Sequence, residues 1–414
     1  MSWRTHQAGG TTTSICRPER VADIVAVLRE VSAGHVGRGM IASGRPMPAA
    51  AALNPGGRVL LTGRLNCLLA FDPARGTVAC EAGVTFGEID TVFMRRGFSA
   101  PIPSAPSATT LGGAVAADVF GPTHACHGSM SDHVQWLDVA LPGGEIVHAS
   151  RAANQDIFRA TLGGLGLTGV IVRVGFKLVA TTGGGARMTT VPVTELAPAL
   201  RALGSASEAA LPIATCLRLD RIEPAGGRVA GALSTVHFDV DAEGRGIGPS
   251  PGMTEFLRSA CSFAPNRHLP WPRTTSRLRG VLPSDIDAAG IERLAASGAI
   301  PGASAAQLLL FPVARDAVGD LSLAVRGLGF ELAQSGPKFL ATRGLHAALA
   351  RVHRCVLDLG GRTELDCDQA LSRDDLARSR PRLAAFSAVR RRIDPRADLQ
   401  SATARRLGLA ETAE

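Results

Sequence analysis

Pro101 to Val134 reads PIPSAPSATTLGGAVAADVFGPTHACHGSMSDHV, and the architecture turns on this stretch. Thr109 and Thr110 place hydroxyls ahead of Gly112-Gly113, and Ala114, Ala116 and Ala117 keep the next turn free of bulk. Such a run leaves main chain accessible, with N–H groups for anionic oxygens and few side chains in the way. Two readings fit these residues equally. One is a large flat cofactor lying against backbone. The other is a tightly packed helix turn in an Ala-rich chain.

A second glycine run, Gly164-Leu165-Gly166-Leu167-Thr168-Gly169, matches G-x-G-x-x-G letter for letter. A dinucleotide fingerprint must follow a strand and open a helix. Here a helical pattern over Asp156–Leu162 precedes it, and the branched run Val170–Val179 follows as a strand. The order is reversed, so the run predicts a helix-to-strand turn.

Outward from these runs the pattern mixes short strands with helices. Pro18–Glu30 predicts an amphipathic helix with Val21, Ile24, Val25 and Leu28 on one face. Asn54-Pro55-Gly56-Gly57 is a turn signal, followed by strands at Arg58–Thr62, Cys67–Asp72 and Thr77–Ala82. Phe86–Arg96 reads as a helix. Gln135–Leu141 and Glu145–Ala149 read as a hairpin about Pro142-Gly143-Gly144. From Thr181 the texture changes to strands (Val229–Val240, Gln307–Phe311) among Pro-rich loops. Helices are expected at Val318–Arg326 and Gly344–Leu359, and in the Arg-rich tail. This is an α+β pattern rather than a regular βαβ series, without internal repeats.

The chain has 414 residues, 45% apolar and 19% charged, enough for more than one core. Its net charge is +8, and only Lys177 and Lys338 are lysines. The arginine excess suits an anionic partner, but follows equally from genomic bias toward Ala, Gly and Arg. Aromatics are 4% with no basic–aromatic stripe, so nucleic acid is not an expected partner. Eight cysteines without a C-x-x-C pair argue against zinc and against a disulfide framework, and fit a reducing, cytoplasmic compartment; no metal site is expected. No apolar run is long enough for a bilayer span and no leader pattern opens the chain, so membrane integration and secretion are disfavoured.

Residues 38–178 resemble the flavin-binding domain of the vanillyl-alcohol oxidase/p-cresol methylhydroxylase (PCMH) superfamily, and within it the decaprenylphosphoryl-ribose oxidase family. The stretches that carry the likeness are AALNPGGRVLL (51–61), CEAGV (80–84), LGGAVAADV (111–119), GSMSDHV (128–134) and FRATLGGLGLTGVIV (158–172). The tail RIDPRADLQSATARRLGL (392–409) is similar to the family's C-terminus. The resemblance implies a two-lobed PCMH-type FAD-binding domain at 1–180, an α+β substrate domain at 181–361, and a tail at 362–414 that returns to the first domain. It implies non-covalent FAD held by Gly44, Arg45, Thr109, Thr110, Gly112, Gly113, Ala114, Ala116, Ala117, Gly121 and His124, with the Val170–Ile171 backbone facing the adenine. It implies oxidation of a secondary hydroxyl of a sugar or lipid-linked sugar phosphate, with an epimerase-system reductase as partner and peripheral membrane contact.

Three departures from the family matter. The phosphate loop reads Gly44-Arg45-Pro46-Met47-Pro48-Ala49, and proline has no N–H to donate. In the flavin-facing loop Phe120 and Pro122 replace a histidine and a lysine, while His124 keeps a family position and His127 is a local addition. After Gly360-Gly361-Arg362, Glu364 stands where the family has tyrosine and Cys367 where it has lysine. The chain has no tyrosine. His124 and Cys367 are therefore weak catalytic candidates. Alternatives to the sugar reading are a protein that keeps the fold without catalysis, acting as partner or scaffold, and an FAD-linked oxidase of a different alcohol.

Overall fold

The computed structural model describes residues 3–8, 11–34, 39–44, 53–102, 105–180, 186–209, 213–223, 227–238, 273–298, 307–337, 343–365 and 370–409. The first sheet is built from β1 (Arg4–Ala8), β2 (Thr11–Cys16), β3 (Met40–Ser43) and β4 (Arg58–Leu61), in the order β1-β2-β4-β3. Strands β2, β4 and β3 run parallel, which needs a crossover between β2 and β3. The Val21–Ser32 helix supplies it, burying Ile24, Val27, Leu28 and Val31. Those side chains pack on Met40 and Leu60, and also on Val170 and Val172 of the second sheet.

The second sheet joins β5 (Leu68–Asp72), β6 (Thr77–Glu81), β8 (Val134–Ala140), β9 (Ile146–Ser150) and β10 (Val170–Lys177) in the antiparallel order β5-β6-β10-β8-β9. Helices Phe86–Phe93, Leu111–Ala117 and Gln155–Thr161 cover it through Phe86, Ile89, Leu111, Val115 and Phe158. A short pair, β7 (Phe98–Ser99) with β11 (Val179–Ala180), closes its end.

The third sheet is wholly antiparallel. Its strands are β12 (Ala186–Glu195), β13 (Ala214–Ile222), β14 (Arg228–Phe238), β15 (Arg273–Leu282), β16 (Gln307–Val313), β17 (Gly327–Pro337) and β18 (Arg362–Thr363). Their order is β12-β14-β13-β16-β17-β15-β18. One face packs Leu217, Leu219, Leu308, Phe330 and Leu332 against helices Leu196–Ala209, Ala288–Ser297 and Arg343–Asp358. The other turns Cys216, Leu309, Phe311 and Ala333 toward Phe120, three residues beyond the second sheet's small-residue helix.

The mixed helix-and-sheet character agrees with the sequence pattern, and so do the β8–β9 hairpin and the helix-to-strand turn at Gly164–Gly169. Other expectations need correction. The first helix starts at Val21, not Pro18, because the Asp23 carboxylate accepts the Glu19 and Arg20 N–H groups and sets the boundary there. Val318–Arg326 is an irregular loop, not a helix. Its backbone groups are used elsewhere: Val318 N–H on Ser131 Oγ (3.4 Å), Asp320 N–H on the Arg159 carbonyl (3.1 Å), and the Leu321 carbonyl on Arg380 Nε (3.2 Å). Strands β12, β13, β15 and β17 replace much of the expected Pro-rich loop region. No helix among the described residues is long and apolar enough to cross a membrane.

Candidate functional site

The Leu111–Ala117 helix is started by its neighbours. Leu111 N–H bonds the Val84 carbonyl and Gly112 N–H the Ala82 carbonyl, both at 2.8 Å, so the chain leaves β6 and the helix as a paired unit. Thr110 caps the helix, its Oγ1 accepting the Gly113 N–H at 3.3 Å. One side of the helix buries Leu111, Ala114 and Val115. The other presents Gly113, exposed, with Ala116 and Ala117 half-buried. Positions 113, 116 and 117 share a helical face, and all three are small.

The two glycines differ. A Cβ on Gly112 would stand 2.8 Å from the Ala82 Cβ, so protein occupies its missing side chain's place and its N–H is already used. A Cβ on Gly113 would meet only the capping Thr110 Oγ1, at 3.0 Å, and otherwise open space. Gly44, at the exit of β3, comes so close to Thr110 that a Cβ there would overlap Oγ1 at 2.0 Å. The first and second sheets thus meet at Gly44 and Thr110, beside the small face. Thr109 is half-buried, its N–H bonded to the Pro106 carbonyl and its own carbonyl to Phe86 N–H.

Strand β10 reaches the same place. Its ladder with β6 begins only at Arg173, and the Val172 carbonyl takes the Ala82 N–H. Val170 and Ile171 pair with β8 on one side and have no strand partner on the other among the described residues. Both residues are buried, at 1% and 6% exposed, where β6 turns away into the helix.

The helix ends at Asp118, left-handed at φ +47° and buried, with the Ser131 N–H on its Oδ1 at 2.7 Å. Burial pushes its carboxyl above the ordinary range. Gly121 is buried, and its carbonyl accepts the His124 N–H. His124 is fully buried, and its Nδ1 accepts the Ala314 N–H at 3.2 Å. Burial, helped by Arg315, lowers its pKa to about 4. The ring is therefore neutral near pH 7, with its proton on Nε2, which has no hydrogen-bond partner among the described residues. His127 is likewise lowered to about 4, chiefly by burial. The His124 lone pair on Nδ1 is already committed to the Ala314 N–H, which leaves that ring no free acceptor for a substrate proton. Both rings instead pack the loop against its surroundings.

Arg45, Pro46, Pro48 and Cys367 lie outside the described residues. Beyond the predicted residues, Arg279 of β15 enters the site. It donates to the Phe120 carbonyl at 2.7 Å, lies 5.6 Å over the Phe120 ring, and neighbours Glu331 and Glu364. Nothing in an isolated strand pattern marks such a residue, because the contact spans 159 positions. No group of three His, Cys, Asp or Glu residues able to hold a metal occurs among the described residues.

Residues 13–150 match the family described as FAD binding domain. The chain carries an FAD-binding domain of this family. A 184-residue stretch is 32% identical to decaprenylphosphoryl-beta-D-ribose oxidase of Mycolicibacterium smegmatis, covering 44% of this chain and 39% of that protein. A 174-residue stretch is 27% identical to a putative D-arabinono-1,4-lactone oxidase of Neurospora crassa, covering 41% of this chain and 31% of that one. The matched stretch thus spans under two fifths of either relative. Xylooligosaccharide oxidase from Myceliophthora thermophila C1, solved with xylobiose, superposes with a TM-score of 0.70 at 16% identity, over 92% of this chain and 89% of that one. That likeness concerns the fold alone. FAD is the cofactor of the domain, and the residues fit it: Gly113 leaves open the position a side chain would fill, beside an alanine face and an unpaired strand edge.

Proposed function

We propose that this protein is an FAD-linked oxidoreductase of the sugar and lactone oxidase type, acting on a secondary hydroxyl of a sugar or sugar-phosphate-like substrate. The observation that carries the proposal is the meeting of two surfaces. The small face of Gly113, Ala116 and Ala117 ends in a loop whose Phe120 carbonyl is held by Arg279 of the third sheet. On the side of that sheet turned toward Phe120 stand Arg277, Arg279, Glu331 and Glu364. A small cradle for a flat group thus faces a charged platform suited to many hydroxyls.

When bound, FAD supplies the hydride acceptor. In this reading Gly44, Thr109, Thr110, Gly113, Ala116 and Ala117 hold the cofactor's backbone-facing side, and Val170–Ile171 offers main-chain groups to its adenine. Neutral His124, tied to Ala314, fixes the loop that carries Phe120 against the sheet. Likeness to the mycobacterial oxidase favours a lipid-linked ribose phosphate, with an epimerase-system reductase as partner and a peripheral place at the membrane. Domain limits at 180 and 361 belong to the same proposal.

A second reading, a fold retained without catalysis, is favoured by Cys367 where the family carries lysine. One experiment separates them. The purified protein is reconstituted with FAD and mixed anaerobically with short-chain prenylphosphoryl ribose, aldoses and aldonolactones, following the flavin absorbance. Flavin uptake with bleaching by one of these supports the oxidoreductase. Flavin uptake without bleaching by any supports the non-catalytic reading, and failure to take up FAD sinks the oxidoreductase and leaves only a fold without cofactor or catalysis.

A further inference from the structure

The charged platform is ordered. Arg279 and Glu331 face each other in register across β15 and β17. Glu331 lies 3.3 Å from Arg277 and 3.8 Å from Arg279. Glu364, just beyond β18, gives its N–H to the Arg279 carbonyl at 3.0 Å, and its carboxylate lies 3.5 Å from the Arg279 guanidinium. Another nitrogen of that guanidinium holds the Phe120 carbonyl. One arginine therefore joins Glu364 to the loop leaving the small-residue helix. The side chains of Arg279 and Glu364 are 23% and 18% exposed, sheltered yet open to a ligand.

We propose that Glu364 is the proton acceptor for the substrate hydroxyl, and that Arg279 is the positioning residue that orients it. The assignment rests on the flavin oxidoreductase reading above. In the step, the carbinol C–H bond breaks and its electron pair leaves as hydride to the oxidised flavin. The O–H bond breaks and its proton passes to the Glu364 carboxylate, and the carbon–oxygen double bond forms. The alcohol is oxidised by two electrons, the flavin is reduced by two, and Glu364 ends protonated.

The other candidates are poorer. Glu331 is held between two guanidiniums, those of Arg277 and Arg279, and no contact among the described residues ties it to the Phe120 loop except through Arg279. His124 is tied through Nδ1 to the Ala314 N–H, and its Nε2 already carries the proton. The chain has no tyrosine. Glu364 combines a carboxylate, partial shelter and a connection to the flavin-facing loop.

The test uses flavin-loaded wild type, Glu364→Gln and Glu364→Asp, with folding checked by thermal melting. Calorimetric titration at mildly acidic pH compares D-glucosamine, whose ammonium replaces a hydroxyl, with D-glucose. An ammonium paired to a carboxylate should make wild type prefer the amino sugar by about tenfold. The preference should vanish in Glu364→Gln and return in part in Glu364→Asp. Anaerobic bleaching by a reactive sugar should slow by about 10²-fold or more in Glu364→Gln. In wild type it should fall once the pH is low enough to protonate the carboxylate, and Arg279→Gln should move that fall to higher pH, because a lost positive neighbour makes the carboxylate easier to protonate. Absence of an ammonium preference in wild type, or one that survives Glu364→Gln, overturns the assignment. The titration decides this even where no sugar bleaches the flavin. A protein that takes up no FAD fails at the underlying reading instead, so the two failures are distinct.

Discussion

Gly112 and Gly113 are adjacent in the chain and serve different ends. The first lets the helix close against β6, where a Cβ would press on Ala82; the second leaves open space beside the Thr110 cap. Substitution should separate them. Gly112→Val should lower the melting temperature whether or not FAD is added, because the clash lies within the protein. Gly113→Val should leave the cofactor-free melting temperature nearly unchanged and abolish the shift on adding FAD. Equal loss of intrinsic stability in both variants would show that the open face is not the cofactor's. The sequence made both glycines legible as a small-residue run. Only the packing told which vacancy belongs to protein.

Among the elements, the loop between β16 and β17 was the hardest to foresee. Val318–Arg326 has the apolar content of a helix, with Leu321, Leu323 and Ala324 buried. Its backbone is instead divided among Ser131, Arg159 and Arg380, partners 59 or more positions away. Arg380 is the chief tie. It is fully buried and donates to the carbonyls of Leu321, Ser379 and Thr363, linking this loop, the C-terminal segment and β18. Burial lowers its pKa to about 9, so it still carries its charge at neutral pH. Arg380→Met should leave three carbonyls without donors and cost at least about 3 kcal/mol, read from the urea midpoint. A loss below about 1 kcal/mol would mean that the carbonyls find other partners. Because Thr363 precedes Glu364, the same variant should also weaken the preference for the amino sugar.

At the scale of the molecule, acid should act through the histidines of the loop that follows Phe120. His124 and His127 are held near pKa 4 in the fold and return to about 6.5 when unfolded. Between those values the unfolded chain binds more protons. Stability is therefore complete above about pH 6.5 and is lost as pH falls toward 4. Each ring contributes on the order of 3 kcal/mol over this range. The double variant His124→Gln, His127→Gln should show a flatter melting temperature between pH 4.5 and 7 than wild type, with the gap widest at neutral pH relative to acid. Identical slopes in the two proteins would show that the rings are not held neutral.

Local chemistry in the sequence determined the pieces whose causes are local. The hairpin at Pro142-Gly143-Gly144, the turn at Gly164–Gly169, the Thr110-capped small helix and the α+β class all follow from turn residues, caps and periodicity. The same locality explains the misses. Thr11–Cys16 and Arg273–Leu282 are too polar to announce strands, and become strands because a partner strand takes up their backbone groups. Tertiary structure alone decided which residues share the candidate site. Gly44 meets Thr110 across two sheets, and Arg279 crosses 159 positions to the Phe120 carbonyl beside Glu364. Such meetings depend on how three sheets stack, and hydrophobic periodicity records only which side of a strand is buried, not what it is buried against.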